Sequence, residues 1–242
     1  MSAATPIQGG GDLLRQLEAR LVVSCQAPPG HPLAEASSIA ALCRCADQGG
    51  ASGLRVNGTD GVTVARTVSA LPVIGLQKRW SSRRSLANGR PAITPSVEDA
   101  AALAAAGAQI IAIEATRELH GDRLAAHVRA VRAAVANLIL ADVSTLEEGL
   151  AAQAAGADLV GTTLSGYTAD SPPRPGPDLA LVEALATRGV RTVAEGRIST
   201  PGQGRAALDA GALFIVVGGA ITDPRARTAL FAAALGAGRD GG

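Results

Sequence analysis

The sequence predicts an α/β fold, the (β/α)8 or TIM barrel, and three observations support this fold class. Short apolar runs alternate with Ala- and Leu-rich stretches of helical character along most of the chain. A unit in which a helix ends at a glycine and a short strand follows recurs, with its glycines at positions 107, 156 and 211. The intervals of 49 and 55 residues each leave room for two strand and helix units, which is the spacing of a barrel.

Eight apolar runs bounded by turn residues predict the eight strands. These runs cover residues 21–25, 53–56, 73–77, 110–113, 138–141, 159–162, 192–194 and 213–217. Helices fit between them, and a first helix near residues 12–18 is expected to cover the bottom of the barrel. Ser144 with Glu147 predicts a capping box after strand 5, and Thr200-Pro201 with Gln203 predicts another after strand 7.

A doubly wound open sheet is the rival fold. It would need a glycine-rich dinucleotide-binding turn after its first strand. Strand 1 instead leads into Cys25-Gln26-Ala27-Pro28-Pro29, which does not fit that turn.

The composition limits the kinds of molecule that the protein is expected to bind. The 242 residues carry a net charge of +1, and only 2% are aromatic, so neither phosphates nor bases of a nucleic acid would find many contacts. No two-residue-spaced cysteine pair or histidine cluster predicts a zinc site or a disulfide framework. With no signal peptide and no apolar run long enough for a membrane span, we expect a cytoplasmic protein that binds neither nucleic acid nor membranes.

The ends of the chain are small, Gly-rich and non-periodic. We therefore expect residues 1–10 to be a disordered extension, residues 11–235 to form one barrel domain, and residues 236–242 to be a flexible tail. The Ala-rich final helix, residues 228–235, has too little polar surface for a free helix. A homodimer is the expected assembly.

Polar residues end each predicted strand, where a barrel carries its chemistry. Each has a structural explanation when taken alone, such as a helix cap for Asp142 or a solvated loop cation for Lys78. Their coincidence at one rim favours a functional site. In strand order they are Gln26, Arg55 with Asn57, Lys78-Arg79, Glu114, Asp142, residues 163–167, Glu195-Gly196-Arg197 and Gly218-Gly219. The three histidines do not join this set, and His127 is expected on a helix surface.

An anion site is expected after strands 7 and 8. Gly196, Gly218 and Gly219 lack a Cβ and would let a phosphate approach their amides. Arg197 would add a charged fork. Turn geometry alone is the alternative explanation for these glycines.

Motifs in the same order as these strand ends resemble the N-acylglucosamine-6-phosphate 2-epimerase family of sialic acid catabolism, also called N-acetylmannosamine-6-phosphate epimerase. The resemblance covers residues 21–222. Its motifs are Val23-Ser24-Cys25-Gln26, Ile74-Gly75 before Lys78-Arg79, Ile93-Thr94-Pro95, Ile110-Ile111-Ala112-Ile113, Gly161-Thr162-Thr163-Leu164-Ser165-Gly166-Tyr167-Thr168, Ala194-Glu195-Gly196-Arg197 and the run from Gly218 to Thr222.

The resemblance implies a barrel of the ribulose-phosphate-binding type that interconverts N-acetylmannosamine 6-phosphate and N-acetylglucosamine 6-phosphate, a phosphorylated amino sugar, with no metal or organic cofactor. Lys78 and Glu195 match the family's catalytic pair. The remaining matches imply sugar contacts from Gln26, Arg55, Asp142, Thr163, Ser165, Gly166 and Tyr167, and phosphate contacts from Gly196, Arg197, Gly218 and Gly219.

The chain departs from the family pattern after strand 4. Glu114-Ala115-Thr116 stands where Asp-Gly-Thr or Asp-Ala-Thr is usual, and Arg117-Glu118-Leu119-His120 replaces a basic, proline-containing segment. The loop from Trp80 to Arg90 is longer than usual, and Asn57 replaces a hydrophobic or acidic residue. These differences bear on loop closure, sugar preference and rate.

Inverting C2 of an open-chain 2-acetamido aldose requires a base on one face and an acid on the other. Strands 3 and 7 are opposite in a ring of eight, which suggests a two-base exchange between Lys78 and Glu195. Since a lysine of ordinary pKa is only about 0.04% neutral at pH 7, the site must lower that pKa. Desolvation and the cations Arg55, Arg79 and Arg197 are expected to do so.

Two other functions fit the same residues. A lysine at a strand end could form a Schiff base in an aldolase, which borohydride trapping would detect. The altered Glu114 segment would also suit a sugar-phosphate sensor that has lost catalysis.

Overall fold

The computed structural model describes residues 10–80 and 89–236, and its centre is a closed, wholly parallel barrel. Each strand pairs with its neighbours in chain order, and the last strand closes on the first. This confirms the predicted barrel and excludes the open sheet. The barrel strands are β1 (Leu21–Cys25), β2 (Gly53–Asn57), β3 (Val73–Leu76), β4 (Ile110–Glu114), β5 (Leu138–Asp142), β6 (Leu159–Gly161), β7 (Thr192–Glu195) and β8 (Phe214–Val217).

Helices follow the strands and form the outer layer. They are α1 (Gly10–Leu17), α2 (Ala36–Gln48), α3 (Gly58–Val68), α4 (Val97–Ala105), α5 (Arg117–His120), α6 (Leu124–Ala134), α7 (Leu146–Ala154), α8 (Leu179–Ala186), α9 (Pro201–Asp209), α10 (Gly219–Thr222) and α11 (Pro224–Gly236). Two short strands, Lys78–Arg79 and Ala92–Ile93, pair antiparallel above the end of β3. The second of these strands lies at the barrel rim before α4.

The strand period of two divides the apolar residues between two cores. Ile74, Leu140 and Val193 belong to the cluster that fills the barrel, whereas Leu54 and Val56 belong to the layer between strands and helices. Polar residues in register with the interior set therefore point into the barrel. This alternation is why the ends of β2, β5 and β7 present side chains to one mouth.

The predicted first helix covers the bottom of the barrel and begins at Gly10. Leu17 is fully buried and packs in the interior cluster with Phe214. The expected extension and tail, residues 1–10 and 236–242, lie outside the described residues except for Gly10 and Gly236, which begin α1 and end α11.

The capping box predicted from Ser144 and Glu147 is wrong by one residue. Thr145 caps α7 and accepts from the Glu148 amide, while Glu148 accepts from the amides of both Ser144 and Thr145. Ser144 with Glu147 and Thr145 with Glu148 have the same spacing, so the sequence fits a capping box at either position. At α9 the predicted cap is confirmed at Thr200.

The second half of the α9 prediction differs from the structure. The Gln203 side chain accepts from the amide and hydroxyl of Ser199 instead of the Thr200 amide. Pro201 occupies the first turn, where its missing N–H costs no hydrogen bond.

Helix α11 packs differently from the other long helices, because none of its residues is buried. Leu230, Phe231 and Leu235 are all more than 60% exposed. Across the described residues, no helix combines the length and hydropathy that a membrane span needs.

Candidate active site

Two adjoining cavities open at the barrel mouth, at the carboxyl ends of the strands. The first, the lysine cavity, has a volume of about 350 Å³ and is lined by Gln26, Arg55, Lys78 and Arg90. The second, the glycine cavity, has a volume of about 380 Å³. Both cavities share the wall residues Thr163, Tyr167, Glu195, Gly218 and Gly219.

A buried ion cluster forms the floor of the lysine cavity. Arg55 Nη2 donates to Asp142 Oδ2 (2.5 Å), Nη1 donates to Asp142 Oδ1 (3.2 Å), and Nη1 also bonds Glu195 Oε2. Arg55 and Asp142 are almost completely inaccessible, and Glu195 is 14% exposed. The Thr163 hydroxyl donates to Asp142 Oδ1 (2.6 Å). The cluster thus joins residues at the ends of β2, β5, β6 and β7.

Lys78 stands at the edge of this cluster. Its amide donates to Asn57 Oδ1 (2.8 Å), and its pairing with Ile93 fixes the backbone above β3. Burial lowers the pKa of Lys78, and the positive charge of Arg55 lowers it further, while Glu195 and Asp142 oppose the shift. The structure therefore favours a lysine more easily deprotonated than one in water.

The pKa of Glu195 shifts in the opposite direction. Burial raises the pKa of Glu195 to about 7, and the negative charge of Asp142 adds to this shift, while Arg55, Lys78 and the Thr163 hydrogen bond oppose it. Glu195 lines this cavity from the end of β7, and Lys78 lines it from the short strand that follows β3, which is four positions from β7 in the ring. The pKa of Lys78 is lowered and that of Glu195 is raised, so the two values approach each other.

The expectation that three arginines lower the pKa of Lys78 is wrong for two of them. Arg79 turns outward, is 57% exposed and pairs with Asp99. Arg197 donates to the carbonyls of Gly176 (2.8 Å) and Ser165 (2.7 Å). Neighbouring residues on a strand end point to opposite sides, so Arg79 could not join Lys78 in the cavity.

Two polar atoms in the wall of the lysine cavity have no protein partner among the described residues. Gln26 follows β1, and its Nε2 donates to Ser24 Oγ (2.9 Å), which leaves the buried Oε1 without a donor. Arg55 Nε is also buried and without an acceptor. Since buried polar groups are costly when unpaired, these atoms mark where a polar ligand would fit.

Three residues expected to touch a sugar lie behind the cavity walls. Asp142 is fully buried beneath Arg55. Ser165 is also fully buried and donates to Asp178 (2.6 Å), while its carbonyl accepts from Arg197. Gly166 has a φ of +79°, which favours glycine, and a Cβ at this position would lie 3.3 Å from the Arg197 guanidinium. All three contact residues that line a cavity.

Backbone turns, two cations and several apolar side chains line the glycine cavity. Gly196 has a φ of +109°, and Arg197 has a φ of +56°, so the chain turns sharply after β7. Gly218 precedes the short helix α10. Arg227, half-buried on α11, lines the same cavity and was missed in the sequence analysis. The sequence feature that could have identified Arg227 is its position, a basic residue in the first turn of the helix after Gly218 and Gly219.

Two predictions on the far side of the mouth need correction. Glu114 does not line either cavity; it is fully buried and forms an ion pair with Arg90 (2.8 Å). His127 is half-buried and stacks on His120 with ring centroids 4.1 Å apart. Burial and the neighbouring imidazole lower the pKa of His127 to about 4. Packing of α5 against α6 covers side chains that the sequence pattern placed at the surface.

A family model and two similar proteins match this chain to one family. The model of a family described as "Putative N-acetylmannosamine-6-phosphate epimerase" matches residues 39–237. "Bifunctional enzyme NanE/NanK" from Brucella melitensis is 42% identical over 91% of the chain, but the chain spans only 41% of that enzyme. A Klebsiella pneumoniae protein named "Putative N-acetylmannosamine-6-phosphate 2-epimerase" is 43% identical, with 87% of this chain and 89% of that protein covered.

A solved structure extends the similarity to three dimensions. The N-acetylmannosamine-6-phosphate 2-epimerase from Clostridium perfringens superposes with a TM-score of 0.83 at 34% identity, covering 96% of this chain and 99% of that one. The chain therefore belongs to the N-acetylmannosamine-6-phosphate epimerase family.

Proposed function

We propose that the protein interconverts N-acetylmannosamine 6-phosphate and N-acetylglucosamine 6-phosphate by exchanging the proton at C2 of the open-chain sugar. The observation that carries this proposal is the pairing of Lys78 with Glu195 in one cavity. They line it from opposed strands with pKa values shifted towards each other. The family match and the names of the relatives support the same reaction.

The reaction needs one mobile proton on this pair. Arg55 and Asp142 form a buried ion pair with each other, so the proton that moves is the one shared by Lys78 and Glu195. In one state Glu195 is the carboxylate base and Lys78 is the ammonium acid. In the other state Lys78 is the amine base and Glu195 is the carboxylic acid.

In the first state the Glu195 carboxylate removes the C2 proton, and the C2–H electron pair enters the C1 aldehyde as an enolate. Lys78 then delivers its proton to the opposite face of C2, which inverts the centre. The turnover leaves Lys78 neutral and Glu195 protonated, which is the state that catalyses the reverse reaction. Exchange with water resets the pair.

Arg55 serves the pair in two ways. Its bidentate bond to Asp142 fixes the guanidinium, and its contact with Glu195 holds that carboxylate at the cavity edge. Gln26 and Thr163 are the polar wall residues that would contact the sugar hydroxyls. Tyr167 lines the same cavity beside them.

The phosphate belongs in the glycine cavity. Gly196, Gly218 and Gly219 leave their backbone accessible to an anion, while Arg197 and Arg227 supply positive charge. This arrangement keeps the phosphate in a separate cavity from Lys78, since its two negative charges would raise the lysine pKa. Asp142, Ser165 and Gly166 support Arg55 and Arg197 from behind instead of touching the ligand.

Proton NMR in deuterated water tests the proposal directly. With N-acetylmannosamine 6-phosphate as the only substrate, we expect the gluco isomer to appear with deuterium at C2. Conversion without deuterium would replace the two exchanging groups with a single shielded carrier. Binding without conversion would overturn the epimerase proposal in favour of a sensor, and borohydride labelling of Lys78 would favour an aldolase.

The proposed assembly is a cytoplasmic homodimer in which α11 of one copy covers a groove on the other. An apolar groove of about 530 Å³ runs along the outer face of β1 and β8, beside α9. Its apolar walls and the exposed Leu230, Phe231 and Leu235 of α11 are complementary surfaces. The three free thiols of the described residues fit a reducing compartment.

Sedimentation velocity of the wild type and of the double variant Phe231→Ser with Leu235→Ser tests this assembly. We expect a dimer for the wild type and a monomer for the variant. A monomeric wild type at micromolar concentration would contradict the proposed dimer, and a dimeric variant would contradict the role of α11.

A further inference from the structure

Arg90 forms hydrogen bonds to protein acceptors through all of its guanidinium nitrogens, although it lies in the segment that leads back to the barrel before Ala92–Ile93. Nη1 donates to Glu114 Oε2 (3.1 Å) and to the Pro91 carbonyl (3.5 Å), and Nη2 donates to Glu114 Oε1 (2.8 Å) and Glu118 Oε1 (3.4 Å). Nε donates to the Tyr167 carbonyl (3.2 Å). All three guanidinium nitrogens therefore donate to protein acceptors.

The partner of Arg90 is a carboxylate that water does not reach. Glu114 is fully buried, and it accepts from the Thr116 hydroxyl (2.6 Å) and the Ile93 amide (3.1 Å) in addition to Arg90. A buried carboxylate is costly unless it is paired and hydrogen-bonded, and Arg90 forms a bidentate bond with this one. The position of the guanidinium is thus fixed by the end of β4.

The fixed guanidinium in turn holds the chain after β6. Arg90 binds the Tyr167 carbonyl, and Glu118 Oε2 accepts from the Ala169 amide (2.8 Å). These two bonds tether both sides of Thr168 to the β4 end of the barrel. Tyr167 lies at the wall shared by the two cavities, with the Arg197 guanidinium 4.9 Å from its ring centroid.

We propose that Arg90 is a positioning residue that fixes Tyr167 between the sugar and phosphate ends of the substrate. The inference rests on the proposed epimerase function, which needs the phosphate anchored in one cavity while C2 is held between Lys78 and Glu195 in the other. Arg90 lines the lysine cavity, but all three of its guanidinium nitrogens already donate to protein acceptors, so it acts through Tyr167 and not by binding the substrate. Movement of this wall would misalign C2 without removing either reacting group.

The chain contains one tyrosine, which makes this proposal directly testable. Protein labelled with 3-fluorotyrosine gives a single ¹⁹F resonance, and that resonance reports the surroundings of Tyr167. We compare Arg90→Gln with Arg132→Gln as a matched control. Arg132 also forms an ion pair, with Asp158 (2.8 Å), and donates to the carbonyls of Val135 and Asn137, but it lies at the opposite end of the barrel.

For Arg90→Gln we expect a shifted or broadened ¹⁹F resonance and a fall in kcat of about 10- to 100-fold, larger than the change in KM. Arg132→Gln should keep the wild-type resonance and kcat. An unchanged resonance in Arg90→Gln would overturn the proposal, and so would a shifted resonance with a wild-type kcat.

The double variant Arg90→Gln with Glu114→Gln separates positioning from folding, because it removes the buried charge left behind by the single change. It should restore thermal stability and keep the shifted resonance and the low kcat. Recovery of kcat in this folded variant would overturn the proposal. Failure of the epimerase function itself is distinguishable, since the wild type would then show no turnover while the ¹⁹F comparison would still report on Tyr167.

Discussion

The lysine cavity and the glycine cavity adjoin at one wall, yet they are built from different parts of the fold. The lysine cavity takes its charged groups from strand ends, where Arg55 and Asp142 are buried and paired. The glycine cavity takes its surface from turns and helix starts at Gly196 and Gly218. Proton transfer needs pKa values set by burial, whereas an anion needs only accessible amides and positive charge.

This difference predicts a division of kinetic effects. Changes in the lysine cavity should act mainly on kcat, because they remove or misalign groups that act in the transition state. Changes in the glycine cavity should act mainly on KM, because they weaken an anchor present throughout the reaction.

The largest effect is expected for Lys78→Ala. It removes one of the two groups that exchange the C2 proton, so kcat should fall by at least about 1,000-fold while the phosphate still binds. Turnover followed by NMR and substrate binding followed by calorimetry check the two parts. Arg79→Ala is the matched control, since Arg79 is the adjacent cation but pairs with Asp99 outside the cavity. Full activity of Lys78→Ala would refute the assignment.

The pH dependence of kcat/KM tests whether Lys78 and Glu195 share one proton. Below about pH 7 Glu195 becomes protonated while Lys78 stays charged, so no base remains and the rate should fall tenfold per pH unit. Above the lowered pKa of Lys78 both groups lose their protons and no acid remains, so the alkaline limb should begin below pH 10.5.

Because the two active states are tautomers with the same number of protons, the forward and reverse reactions should give the same bell-shaped profile. Initial rates measured from each isomer across the pH range would show this. Profiles that differ between the two directions would contradict the shared proton.

Gly218→Ala should raise KM by about 10-fold and change kcat by less than about 3-fold. The reason is that phosphate binding stabilises the bound substrate and the transition state equally. The new Cβ would lie 3.5 Å from Ser24, an ordinary contact, so the fold should survive while the methyl group changes the wall that the two cavities share. Gly202→Ala on α9 is the control, with open surroundings away from both cavities. A larger effect on kcat than on KM would break the proposed division.

The smallest effect is expected for Arg227→Ala. This half-buried cation should contribute about 3-fold to KM, and the difference should vanish at high ionic strength because salt screens exposed charges. Steady-state kinetics at low and high salt measure both quantities. Arg225→Ala, which changes an exposed cation two residues earlier, should leave KM unaltered. A salt-independent effect of Arg227→Ala would indicate packing instead of charge.

The sequence predicted the barrel and most of its mouth because strand alternation is a local property. A run such as Thr192–Glu195 has apolar residues that fit a buried strand, and its last side chain must share a face with Val193 two positions earlier. The same periodicity accounts for Arg55 and Asp142. Helix starts were less certain, as the one-residue error at Thr145 illustrates, since two adjacent residues could both serve as the cap.

The sequence by itself therefore determined the fold class, the order of the strands and the side of the barrel where Lys78 and Glu195 lie. Only the tertiary structure decided which charges meet: Arg55 pairs with Asp142 and Glu195, Arg79 turns away, and Arg90 satisfies Glu114. The physical reason is that side-chain direction follows from backbone period, whereas burial and ion pairing depend on residues far apart in the chain that closure of the barrel brings together.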